Sequence, residues 1–171
     1  MMTMRPELAA LYATWQAIHS DGQLPARGEI GPEALKAWLR NVELIDIERE
    51  PLRFRRRLVG TKIVDYQGKD RTGHYLASDD PTTVDGWAFD DYADCAGRGI
   101  AIHREDRGVD VNGDTVRWER LLMPLARDGR TADMILVGLF VDVVRQRPAL
   151  PSAKPAEHWY RHRPRTRSIY C

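Results

Sequence analysis

Cysteine is scarce: the 171 residues contain two, Cys95 and Cys171. A bridge to the last residue would make a poor staple, so both are read as free thiols of a reducing compartment. Long apolar runs are absent too. The longest, Met134 to Val141, falls far short of the ~20 residues that a membrane-spanning helix needs. The N-terminal stretch is an amphipathic pattern broken by charge rather than a signal peptide, so a cytoplasmic location is expected. Catalytic signatures are also missing. There is no HExxH, no Gly-x-Ser-x-Gly and no kinase set. Gly68 to Gly73 has the glycine spacing of a phosphate loop, but His74 and Tyr75 stand where Lys and Ser/Thr are required. No catalytic residue is assigned, and the chain is not expected to be an enzyme.

What is present suits one globular domain with extensions. A hydrophobic fraction of 43% in a chain of this length can bury roughly two thirds of the unfolded surface without disulfide or metal. The net charge of +1 hides an asymmetry. From Arg145 onward seven Lys/Arg face a single acid, Glu157, which leaves +6 there and −5 on residues 1–144. An acidic body is not a nucleic-acid-binding domain, although the tail alone could touch phosphates.

Leu8, Leu11, Trp15 and Ile18, with Tyr12 beside them, repeat at helical spacing and predict an amphipathic helix from about Pro6 within a first segment, 1–22. A second short helix is expected from Pro32, with the stripe Leu35, Trp38 and Leu39. The period then drops to two. Val42–Glu48 and Leu52–Val59 read as strands joined around Glu50-Pro51. Residues 61–98 mix short helical patterns with turn signals, the best helix being Val84–Arg98. Strands are expected at 100–110, 115–125 and 132–143, joined at Asn112-Gly113 and Asp128-Gly129 as an antiparallel meander. Pro124 predicts irregular pairing near the end of its strand.

The run Met134–Val141 is apolar at both parities, so both faces of the sheet centre should be covered. The fold class expected is therefore α+β: five antiparallel strands, a helical cap from residues 61–98 on one face, and the N-terminal helix on the back or in a partner's interface. The domain proper is placed at 23–146. Residues 147–171, rich in Pro and basic side chains, are expected to be a flexible tail.

The order helix, helix, two strands, helical connector, meander resembles that of PAS domains. The residues further resemble a group of small bacterial PAS-like proteins, the PAS_5 group. The matching pieces are Leu24-Pro25-Ala26-Arg27 with Pro32, then Leu39 with Val42 to Asp46, and Phe54 to Arg57 running into Leu58-Val59-Gly60-Thr61. Gly68 to Gly73 and Glu119 to Leu125 follow, the last ahead of Asp128-Gly129. Arg56 and Arg71 depart from the pattern, which has an aromatic and an aliphatic residue there. The resemblance implies a PAS-like sandwich and a sensory or regulatory role, and supplies no catalytic or cofactor motif.

Two readings follow. In the first, a small ligand of unknown identity lies between sheet and cap, with Phe54, Arg56, Arg57, Tyr66, His74, Tyr75, Trp87, Trp118 and Met134 as candidate contacts. Strict alternation puts Phe54, Arg56 and Leu58 on one face and Arg55, Arg57 and Val59 on the other. A buried Arg56 needs an acid (Asp65, Asp70 or Glu119) or an anionic ligand. In the second reading the core is filled and the protein is an interaction module. Leu8, Leu11, Tyr12, Trp15 and Ile18 then pair with a second copy in a homodimer or with a signalling partner, or else simply cap their own sheet. No metal is assigned: His158 and His162 have helical spacing but no third ligand, and lone His74 and His103 read as structural. The cofactor is unknown; Asp94-Cys95-Ala96-Gly97 lacks the Asn-Cys-Arg-Phe run of flavin-adduct PAS domains.

Overall fold

The computed structural model describes residues 4–18, 22–76, 84–109, 113–145 and 166–170, with backbone alone for 84–87, 145 and 166–170. The elements in chain order are α1 (Pro6–Ile18), α2 (Pro32–Leu35), β1 (Val42–Arg49), β2 (Leu52–Val59), α3 (Thr61–Gln67), α4 (Val84–Arg98), β3 (Ala101–Val109), β4 (Thr115–Leu125), β5 (Met134–Arg145) and β6 (Thr166–Tyr170). The strands form one antiparallel sheet in the order β2-β1-β5-β4-β3-β6. The first five are the expected strands, and the first and last of them lie side by side at the centre.

Two apolar layers sandwich that centre. On the back face Leu8, Leu11 and Trp15 of α1 pack with Val42, Leu44, Leu121, Met123, Met134 and Leu136. On the cap face Ala88, Tyr92, Cys95 and Ala96 of α4 pack with Ile45, Phe54, Ile102, Leu122, Ile135 and Val137. The two parities of β5 feed opposite layers, as its doubly apolar sequence requires. α1 approaches so closely that a Cβ on Gly138 would lie 2.6 Å from Leu8 Cδ2 and 2.8 Å from Leu11 Cδ2. Polar ties hold the same helix. Trp15 Nε1 donates to the Pro124 carbonyl at 3.0 Å, and the Arg5 backbone N–H donates to Glu119 Oε1 at 2.8 Å. The stripe thus covers its own sheet, with Tyr12 and Ile18 partly buried beside it. A dimer built on these five residues would first have to lift the helix off.

Three expectations are corrected. The strand containing Pro124 pairs regularly there, Pro124 lying opposite Ile135, and the register shift falls at Thr115/Val116. Proline lacks only the donor, and its carbonyl is taken by Trp15. Strict alternation along β2 fails, because a register shift beside Leu44/Ile45 sets Leu58 against Leu44 but Arg56 against Ile45. Phe54 and Arg56 stay on the cap face, while Leu58 moves to the other side, 39% exposed. Finally, part of the expected tail is a strand: 166–170 pairs with β3, Ala101 opposite Tyr170 through Glu105 opposite Thr166. The rest of that tail, with His158 and His162, lies outside the described residues.

Candidate functional site

The β3–β4 ladder sets Arg104 directly opposite Arg120, both on the cap face. Like charges so placed repel, and an acid must lie between them. α4 provides it. Asp91 sits at an inward position of the helix, one turn from Ala88 and Cys95, and is 1% exposed. Its Oδ2 accepts from Arg104 Nε at 2.7 Å and from Arg120 Nη2 at 3.0 Å, and its Oδ1 accepts from Arg104 Nη2. The Arg120 guanidinium also lies 5.6 Å from the Tyr92 ring centroid. A buried, bidentate arrangement of this kind fixes α4 to the sheet in one orientation, because breaking it would strand charge in an apolar layer.

Toward the far end of the same two strands, Asp106 lies opposite Trp118, and Trp118 opposite Val141 of β5. Asp106 is buried, yet neither carboxylate oxygen has a hydrogen bond of good geometry. Burial raises its pKa above the ordinary carboxylate value and Asp91 adds to this, while Arg120, Arg104 and the Trp118 indole oppose it. Tyr66 of α3 reaches the end of that row, donating its hydroxyl to the Val141 carbonyl at 2.6 Å. Leu139 and Val141 have the parity of Ile135 and Val137, but they are only half-buried. The cap therefore closes less tightly here than over the sheet centre. Asp106, Trp118 and Arg120 are buried beside the half-buried Leu139 and Val141 and share the cap face with them. Tyr66 touches this row only at the Val141 backbone, and the charges nearest its hydroxyl are Asp142 and Arg5 on the other side of the sheet.

The remaining cap-face charges are balanced as well. Arg56, 3% exposed, has its Nε 3.9 Å from Glu43 Oε1, and its Nη1 donates to the Tyr75 carbonyl at 3.4 Å. The expected partners Asp65, Asp70 and Glu119 are not the ones used; Glu43 sits on the neighbouring strand, two residues before Ile45, which faces Arg56. On the back face His103 Nε2 lies 2.7 Å from Glu119 Oε1, within reach of the start of α1. Burial opposes ionisation of Glu119, but bonds from His103 and the Arg5 backbone outweigh it and hold its pKa below the usual range. Burial pushes the Cys95 thiol far up, as expected for an inert core thiol. Among the described residues no cluster of three His, Cys, Asp or Glu could hold a metal.

Of the nine residues expected at a ligand site, the structure places Phe54, Arg56 and Trp118 on the cap face, with Tyr66 at the end of the Trp118 row. Phe54 is walled in by Phe89, edge-on at 5.1 Å, and by Tyr92 at 5.6 Å. Met134 belongs to the opposite layer, against α1, since its parity differs from that of Ile135. Arg57 is exposed at the register shift and pairs with Asp46 at 3.3 Å. His74 and Tyr75 lie outside, their segment extending the sheet edge beside β2. Tyr75 donates to Glu48 Oε1 at 2.9 Å on the surface. Trp87 falls in α4, its side chain outside the described residues. Asp91, Arg104, Asp106 and Arg120 were not expected, because the register that sets the two arginines opposite each other differs by one residue from that of a two-residue turn at Asn112-Gly113.

The family model described as PAS domain matches residues 2–141. No curated protein matches the chain. Among solved structures, a LOV protein from Rhodobacter sphaeroides is similar at 13% identity with a TM-score of 0.44, covering 78% of this chain and 67% of its own.

Proposed function

The chain belongs to the PAS domain family, and from that premise we propose that it is a sensory or regulatory module that binds a small polar ligand on the cap face at Asp106, Trp118 and Arg120. One observation carries the reading: a buried carboxylate whose oxygens lack good hydrogen bonds, beside side chains the cap leaves half-covered. Such a group is costly to keep in an apolar layer unless something pairs with it. A ligand bearing N–H or O–H donors would satisfy Asp106, and its ring or apolar part would lie along Trp118, Leu139 and Val141. Arg104 and Arg120 are engaged by Asp91, so the site favours a neutral, donor-bearing molecule over a free anion. Occupancy would act on α4 through Asp91 and thereby on any partner that reads the cap. The role is binding rather than catalysis.

Thermal shift across a panel of polar metabolites tests this. The wild type is expected to be stabilised by a subset, and Asp106→Leu to lose that response while remaining folded. A panel without effect on the wild type, or equal shifts in both proteins, would count against the site.

A further inference from the structure

We propose that the outer edge of β3 is a strand-docking surface whose partner is the 166–170 segment of a second copy, so that two molecules associate by exchanging their last strands. β3 is paired with β4 on one side and, over Ala101–Glu105, with β6 on the other. Without β6 that edge would present a row of bare backbone donors and acceptors, the usual template for strand addition.

The length of chain leading to β6 argues for exchange. β5 ends at Arg145, level with Thr115 and hence with Val109, while Thr166 lies opposite Glu105. Three strand steps of ~4.8 Å across and four residues of ~3.4 Å along make a span of ~20 Å. Residues 146–165 can reach up to ~66 Å when extended. That is about three times what pairing within one molecule needs, and enough to reach the same edge of a neighbour.

Charge favours the same partner. The segment from Arg145 carries the +6 excess and residues 1–144 the −5, so the tail of one copy is drawn to the body of another. Reciprocal exchange also keeps every β3–β6 backbone bond and closes with two-fold symmetry, leaving only tether length and concentration to decide between the two forms.

Glu105→Cys with Thr166→Cys, in a Cys171→Ser background, reports which copy supplies the strand, since Cys95 is buried. In dilute solution the crosslink should form within one chain, and between chains as concentration approaches the tether's effective value of about 1 mM. Deleting 148–163 leaves four connecting residues, a reach of ~13 Å that cannot close within one molecule. That variant should be dimeric, with the crosslink between chains, and adding Ile169→Pro should return it to monomer. A shortened chain that stays monomeric with free thiols, or a dimer indifferent to Ile169→Pro, overturns the proposal. Should the shortened chain fail to fold, the full-length pair decides: crosslinking only within one chain at every concentration, or none at all, overturns it.

Discussion

Asp106 opposes folding when it ionises, because it is buried among apolar groups of the cap face. Its folded pKa lies above the ordinary carboxylate value, so the folded state holds the proton more tightly than the unfolded chain. Stability from this group is therefore full below the unfolded value and falls as pH rises through the folded one. Asp106→Asn removes that penalty and should raise the unfolding free energy at pH 7, with the gain vanishing toward pH ~4; paired urea titrations at the two pH values check it. Glu119 behaves in the opposite sense. Its depressed pKa gives stability that is present above the unfolded value and is lost as pH falls through the folded one. Glu119→Gln should therefore destabilise at pH 7 and lose its effect in acid. Asp91→Ala leaves Arg104 and Arg120 buried without their acid, and denaturant unfolding should show a loss of about 3–5 kcal/mol. At this scale the sequence was only partly legible. Arg56 stood out because it sits in a strand between apolar neighbours. Asp91, Arg104, Asp106 and Arg120 did not, since a two-residue turn at Asn112-Gly113 would set Arg104 against Leu121. The observed register, with Val109 opposite Thr115, sets it against Arg120 instead.

Elements were more legible than their faces. β2, α4 and β4 fall where the periodicity puts them, because period and turn chemistry agree there. Met134 was misplaced because a strand apolar at both parities does not say which parity meets which layer. α1 left two uses open, and Gly138 is the residue that decides between them, since only a strand without a Cβ lets Leu8 and Leu11 seat. Gly138→Ala should cost about 1–3 kcal/mol by overpacking and make residues 1–22 more sensitive to proteolysis. Combining it with Leu8→Ala should cost less than the sum of the two, because the smaller side chain makes room for the added methyl. β6 was not legible, for Thr166–Tyr170 is a short segment set among prolines and arginines, and its pairing comes from the open edge of β3 rather than from its own pattern.

For the whole molecule, one sheet serves two layers of different character. The back is an apolar seat for α1, tied by Glu119 and Pro124. Among the described residues the cap side buries Glu43, Asp91 and Asp106 with Arg56, Arg120 and the less buried Arg104 around Phe54 and Tyr92, with Asp106 at its loosest corner. No described helix is long and apolar enough to cross a membrane. The central claim is that this corner receives a donor-bearing small molecule, and native mass spectrometry of freshly purified protein addresses it most directly. The wild type should carry an added mass that Asp106→Leu lacks and Met134→Leu, on the opposite face, retains. A bare-chain mass that no ligand from the metabolite panel can increase, or an adduct indifferent to Asp106, would contradict it.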